Sequence, residues 1–428
     1  MNNYLSMTKE QLSETLAELK VQYEEIKNSG LTLDMSRGKP GADQLKITQD
    51  MLGVLDSAED CIGVNKFDYR NYGLLDGIPE AKEMFADLFE IPAKNIIVAG
   101  NSSLNLMYDT VARAMLYGVY ASEKPWCKLD KVKFLCPCPG YDRHFKICES
   151  LGIEMINVPM NSSGPDMDVV ERLVSEDDSI KGIWCVPKFS NPDGITYSDE
   201  VVERFAKLKT KASDFRIFWD NAYAIHEIYD TEVKLANLFE LAKKYGNEDK
   251  VFMFASTSKV SFPGSGVAIM AASDNNMKLI KSVMSVQTIG FDKLNQLRHV
   301  LFFKNADGVR AHMKLHAEIL SKKFDIVLGT LKEELGKLGI ANWESPLGGY
   351  FISLNVLEGC ATRVYNLCKE AGVTLTEAGA TFPYGKDPLD RNIRIAPSFP
   401  PNDELATASR VLCICTKLAC CEKLLESK

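Results

Sequence analysis

Five short polar clusters in this 428-residue chain each follow an apolar run, and each carries groups able to do chemistry. Gly100-Asn101-Ser102-Ser103 precedes a helical pattern. Backbone N–H groups and the positive end of a helix dipole suit a phosphate there, and the competing reading of Ser102 or Ser103 is an ordinary helix N-cap. Tyr141, after Pro137-Cys138-Pro139-Gly140, offers a ring to stack on a planar ligand, or a packed surface aromatic. Asn191-Pro192-Asp193-Gly194 is a turn that aims the Asn191 amide. Asp220, followed by Asn221-Ala222-Tyr223, comes straight after Phe215-Arg216-Ile217-Phe218-Trp219, so its carboxylate is nearly buried. It needs a helix to cap, a cation or several donors. Lys259 closes Ser256-Thr257-Ser258-Lys259. A lysine in apolar surroundings gives up its proton readily, and the neutral amine attacks carbonyls; otherwise it snorkels to water.

The elements that must position these groups are legible in outline. Short apolar runs at 95–99, 132–136, 154–158, 182–186, 215–219, 251–255 and 267–271 alternate with helical patterns at 104–120, 142–151, 167–175, 198–212 and 235–245. Near-continuous apolar strands separated by helices predict an α/β fold, a mainly parallel seven-stranded sheet with helices on both faces. The linker between the last two strands is too short for a helical crossover, so the seventh is expected to be antiparallel. Thr8 and Gln11 predict a capping box at the start of a helix that ends near Gly30. Residues 31–78 read as irregular and are followed by a helix from Pro79 to Phe89. Beyond about 305 the pattern changes to a long helix over 309–338, apolar segments at 350–355 and 392–396, and a closing helix over 403–423. The expected organisation is an N-terminal helix and active-site segment (1–55), a large domain (56–304) and a smaller α+β domain (305–428).

Composition narrows the classes. Asp and Glu number 58 against 50 Lys and Arg, for a net charge of −8, with 46% hydrophobic and 25% charged residues. An acidic chain without a basic run predicts no nucleic-acid partner and no anionic membrane surface. It has no 18-residue apolar stretch, and its N-terminus lacks the basic and apolar regions of a secretion signal, which predicts a cytoplasmic protein. Most of the 12 cysteines sit in apolar runs and read as reduced core thiols. Cys136-Pro137-Cys138 alone is weak evidence for metal, and none is expected.

In a parallel sheet, ligands bind beyond the carboxyl ends of the strands, where all five clusters fall. One ligand answers them together: a phosphate at 100–103, a flat ring at Tyr141, a ring oxygen at Asn191 and Tyr223, a protonated ring nitrogen at Asp220 and an aldehyde at Lys259. That ligand is pyridoxal 5′-phosphate.

With these residues in view, the chain resembles fold-type I pyridoxal-phosphate enzymes, specifically class I aminotransferases. Asn191-Pro-x-Gly, Asp220-x-Ala-Tyr223, Ser256-x-Ser-Lys259 and Arg394 in Asn392-Ile-Arg-Ile stand in the family's order. Ser36-Arg-Gly-Lys-Pro40, Pro139-Gly-Tyr-Asp-Arg-His144, Trp219-Asp-Asn-Ala-Tyr-Ala-Ile-His226 and Asp292-Lys-Leu-Asn-Gln-Leu-Arg-His299 resemble a divergent bacterial subgroup of aspartate aminotransferases. The resemblance implies a homodimer with its site at the interface, Tyr72 reaching the neighbouring subunit's phosphate, and Gly38 beside the substrate. It implies Lys259, Asp220 and Tyr223 as catalytic groups and Asn101, Ser102, Ser103, Tyr141, Asn191, Ser256 and Ser258 as cofactor contacts. Arg394 would take the substrate α-carboxylate, with Asn191 beside it. The expected reaction moves an amino group between an amino acid, with aspartate the expected one, and a 2-oxo acid such as 2-oxoglutarate. Arg37 is the candidate for the side-chain carboxylate, with Arg298 and Lys39 behind it. One departure stands out: Lys259-Val-Ser-Phe-Pro-Gly-Ser-Gly-Val267 lacks the Arg that most class I members place about eight residues after the lysine, which leaves a neutral phosphate anchor. The alternatives are a transaminase of other specificity, a β-lyase, or the sensor domain of a transcription regulator; the acidic charge argues against the last.

Overall fold

The computed structural model describes residues 3–428; Met1 and Asn2, at the head of the expected 1–55 segment, lie outside the described residues. The described residues form thirteen strands: β1 Leu33–Asp34, β2 Ile96–Val98, β3 Lys133–Cys138, β4 Glu154–Asn161, β5 Gly164–Pro165, β6 Ile180–Cys185, β7 Arg216–Asp220, β8 Val251–Ser256, β9 Ala268–Ala272, β10 Ala341–Trp343, β11 Ile352–Val356, β12 Val373–Thr374 and β13 Asn392–Ile395. The large sheet has the order β2-β9-β8-β7-β6-β3-β4-β5. Strands β8, β7, β6, β3 and β4 pair parallel, whereas β9 is antiparallel to both its neighbours. The expected antiparallel seventh strand is therefore β9. The sheet also gains an eighth member, because two residues of β5 fold back against the end of β4; a two-residue strand leaves no alternation to read.

Successive side chains point to opposite faces, and both faces are covered. Along β8, Val251, Met253 and Ala255 join one core, while Phe252 and Phe254 join the other. A third core unites the N-terminal helix (Leu12, Leu19, Tyr23), the inner face of β11 and β13, and the closing helix. There β10, β11 and β13 form an antiparallel sheet, and β1 pairs with β12. Residues expected to be irregular between 31 and 78 thus supply one strand and a short helix, Ala42–Ile47.

The N-terminal helix, Lys9–Lys27, carries the expected capping box, Thr8 Oγ1 accepting from Gln11 N at 3.3 Å and Gln11 Oε1 from Thr8 N at 2.9 Å. The helix Pro79–Phe89 ends at Glu90, whose φ is +54°. The helix expected over 198–212 stops at Ala206, because Lys211 N turns aside to bond the carbonyl of Val174 at 2.8 Å. The long helix spans Ala306–Leu335 and the closing one Asn402–Ser427. Helices Asp274–Gln287 and Lys293–Phe303, which the pattern did not resolve, connect β9 to the long helix. All the cysteines are free thiols, and only Cys127 is exposed.

Candidate active site

The parallel strands deliver their polar followers to one edge. Asp220 is the last residue of β7, Lys259 comes three residues after β8, and Tyr141 and Asn191 follow β3 and β6. Asp220 is buried, and its Oδ2 lies 3.0 Å from His144 Nε2. His144 is held in turn by a stack on Trp184, centroids 4.4 Å apart and planes 10° off parallel. The other carboxylate oxygen, Asp220 Oδ1, is buried without a partner among the described residues. An ionised oxygen left so is costly to bury, which makes it the natural acceptor for a cationic N–H from a ligand.

Lys259 faces two aromatic rings, its amine 5.1 Å from the centroid of Tyr223 and 5.8 Å from that of Tyr350. Its pKa is lowered from the usual lysine value, first by burial and then by the Arg394 cation, with the Asp220 carboxylate opposing. The amine is therefore biased toward its neutral, nucleophilic form. Tyr223 is held far above the usual tyrosine range by burial, with Tyr141 and Asp220 adding to the rise, so it stays a phenol that can donate. Tyr141 is pushed up to about 12, again by burial and then by Asp220. Its ring meets His144 edge-on at 4.9 Å. Asp220, Lys259, Tyr141, Tyr223 and Arg394 thus share one electrostatic neighbourhood.

At the expected phosphate end, the helix Ser103–Tyr117 begins at Ser102, whose side chain makes no capping bond. Ser102 thus takes the N-cap position without the capping bond, and among the described residues the first N–H groups of the helix have no side-chain acceptor. Ser256 Oγ donates to Ser258 Oγ at 3.0 Å, Ser258 Oγ to the Asn101 carbonyl at 3.2 Å, and Asn101 Nδ2 to the Gly264 carbonyl at 3.3 Å. Among the described residues no Lys or Arg bonds any of Ser102, Ser103, Ser256 or Ser258. The groups at this end that could meet a phosphate are hydroxyls and backbone N–H groups.

Arg394, in β13, is 8% exposed and lies over the Phe351 ring at 4.8 Å. Its Nε donates to Thr376 Oγ1 at 3.3 Å, and its Nη1 to Asp142 Oδ1 at 2.9 Å and to Asn191 Oδ1 at 3.2 Å. Gly38 packs on the same ring: a Cβ there would fall 2.3 Å from Phe351 Cζ. The structure therefore brings Asn191, Arg394 and Gly38 together. Arg37 is exposed, and Lys39 sits over the Phe399 ring at 3.7 Å. Tyr72 is 78% exposed.

Sequence reasoning missed Tyr350, and it quoted Asp142 and His144 within the Pro139–His144 motif without giving either a role. His144 stands three residues after Tyr141, a spacing that puts both on one face of the helix Asp142–Ser150 and could have flagged it. Tyr350 follows Gly348-Gly349, whose missing Cβ atoms let the chain pass against Phe189 and the His226 carbonyl. Its hydroxyl accepts from Gln44 Nε2 at 2.8 Å, tying the N-terminal segment to the wall of the Lys259 site.

Residues 7–428 match a family model described as aspartate amino-transferase. A putative aminotransferase of Mycolicibacterium smegmatis is 46% identical over 95% of each chain. An aspartate aminotransferase of Corynebacterium glutamicum is 43% identical over 95% of this chain and 93% of its own. The crystal structure of an aspartate transaminase from the latter organism superposes with a TM-score of 0.96 at 42% identity, over 98% of this chain and 99% of that one.

Proposed function

The chain belongs to the aspartate aminotransferase family, and from that premise we propose that it is a pyridoxal 5′-phosphate-dependent transaminase working between aspartate and 2-oxoglutarate. The observation that carries this reading is a buried carboxylate, Asp220, with one oxygen fixed by His144 and the other unpartnered, in the electrostatic reach of an amine of lowered pKa. When bound, the cofactor supplies an aldehyde for amines and a protonated ring that draws electrons from the bond being broken.

The chain's residues then divide the work. Lys259 would hold the aldehyde end and, once released by the incoming amino group, carry a proton to and from the substrate Cα. Asp220 would keep the ring nitrogen protonated, with His144 fixing the carboxylate. Asn191 and Tyr223 would meet the ring oxygen, Tyr141 would lie against the ring face, and Asn101, Ser102, Ser103, Ser256 and Ser258 would cradle the phosphate. Arg394 would bind the α-carboxylate and so orient the Cα–H bond. Arg37, beside Gly38, is the cation we place on the side-chain carboxylate.

The substrate reading is tested with a panel of amino donors against 2-oxoglutarate, following glutamate formed and ammonia released. Aspartate should lead, with no ammonia. Arg394→Ala should lower kcat/KM for every donor by roughly 100-fold, since two charge-assisted hydrogen bonds are together worth about 3 kcal/mol. Arg37→Ala should act on aspartate alone and narrow its lead over alanine; an unchanged preference excludes Arg37.

We place the division between domains near 55 and 304, and the active unit as a homodimer in the cytoplasm. Among the described residues no helix is long and apolar enough to cross a membrane. The 78% exposure of Tyr72 leaves its ring available to a neighbouring subunit, which supports a role across a subunit boundary. The protein should sediment at the mass of two chains, and Tyr72→Ala should raise the dissociation constant of the cofactor several-fold without dissociating the dimer. Monomeric, fully active protein would exclude the shared site.

A further inference from the structure

A guanidinium has five N–H donors, and those of Arg394 are unevenly engaged. Nε serves Thr376, both protons of Nη1 serve Asp142 and Asn191, and Nη2 makes no hydrogen bond among the described residues. A carboxylate binds this fork through two adjacent nitrogens, so a bidentate ligand must use at least one donor already committed. Two of the three present partners are neutral. The third, Asp142, carries the same charge and the same acceptor group as the ligand itself, at the shortest distance of the three, 2.9 Å.

Asp142 is not needed to hold the arginine in place. Thr376 and Asn191 bond it from either end, and the Phe351 ring supports its face at 4.8 Å. Nor is Asp142 locked. It is the first residue of the helix Asp142–Ser150, its side chain is 24% exposed, and its second oxygen lies 3.9 Å from the guanidinium of Arg143, which is itself 61% exposed. A second cation therefore stands ready on the solvent side, at the edge of ion-pair range and beyond hydrogen-bond distance. Asp142 lies between Tyr141 and His144, so its movement takes place at the wall of the site.

We propose that Asp142 is a built-in competitor for the substrate α-carboxylate: it neutralises Arg394 in the free enzyme, and binding of an amino or oxo acid transfers it to Arg143. This rests on the reading of Arg394 as the α-carboxylate site. The exchange of one anion for another keeps the buried guanidinium paired throughout, avoiding an unpaired charge before substrate arrives. It also weakens substrate and product alike, since both must displace the same group. A ligand without a carboxylate cannot displace it.

The test is the dissociation constant of succinate, an unreactive dicarboxylate, measured by calorimetry on the cofactor-loaded protein, with KM for aspartate and melting temperature alongside. Asp142→Asn keeps the shape and removes the competing charge, so succinate should bind about 5–50-fold more tightly and KM should fall in step, the range that loss of one charge-assisted contact implies. Arg143→Ala removes the receiving cation and should act the opposite way, loosening succinate several-fold. Asp142→Asn binding more weakly than, or equally to, the parent at unchanged melting temperature would overturn the proposal. Such a result would make Asp142 an orienting group for Arg394, or idle. Arg394→Ala separates the two readings: if it binds succinate as well as the parent, the α-carboxylate assignment itself falls, whereas if it loses succinate and Asp142→Asn gains nothing, the competitor role alone falls.

Discussion

Replacing Lys259 with alanine should lower turnover by about 10⁴-fold or more, because it removes both the attachment point for the carbonyl and the base that moves the substrate proton. The geometry predicts that charge alone does not rescue it. Arginine at 259 would keep a cation over the Tyr223 and Tyr350 rings, but a guanidinium does not lose its proton. Lys259→Arg should therefore be as inactive as Lys259→Ala. A retained tenth of the parental rate in either variant would remove Lys259 from the chemistry.

The same substitution should leave the fold intact. The Lys259 amine makes no hydrogen bond to protein among the described residues, and burial lowers its pKa. The unfolded chain holds that proton more tightly, so in the cofactor-free protein this group favours folding more as pH rises from the lowered value toward 10.5. Lys259→Met, which keeps the volume and drops the charge, should give a cofactor-free protein that melts no lower than the parent at neutral pH. Its advantage should shrink at alkaline pH. A large fall in melting temperature would mean that the lysine is a structural cation.

How much of this was legible in the sequence follows from the range of each contact. The five strand-end clusters could be read because a parallel sheet puts the residue after every strand on one edge, so local sequence already fixes the location of Asp220 and Lys259. The partners of those groups come from far along the chain. His144 lies 76 residues from Asp220, and Asp142 lies 252 from Arg394. The Tyr350 hydroxyl reaches Gln44 across 306 residues. The spacing from Tyr141 could flag His144, but nothing local shows what His144 or Asp142 touches until the helix Asp142–Ser150 is docked beside β7 and β13. The short elements failed for a different reason: β1, β5 and the helix Ala42–Ile47 exist through pairing and packing with distant segments, and have too few residues to show a period of their own.

Asp220→Asn is the second large effect, and the cofactor-free protein makes it informative. The change is nearly isosteric. It keeps an acceptor for His144 Nε2 but removes the charge whose Oδ1 is unpartnered. We expect turnover to fall roughly 10³-fold, the upper range for removing one preorganised electrostatic group. Stability should move both ways. Without cofactor, the parent bears a buried charged oxygen with no partner among the described residues; the variant leaves a neutral NH2 there, which costs less to bury than a charge, so it should melt higher. With cofactor, that oxygen meets the ring N–H in the parent and gains a charged hydrogen bond that the variant cannot match, so the order should reverse. A merely structural Asp220 would shift both melting temperatures in the same direction. His144→Ala provides the complementary case: it frees Oδ2 as well, so it should lower the cofactor-free melting temperature through a second unsatisfied oxygen. Turnover should fall only by about 10-fold, because the charge stays and only its aim is lost. If Asp220→Asn shows no crossover between the two melting temperatures, the carboxylate does not partner the ring, and the site must be built around some other acid.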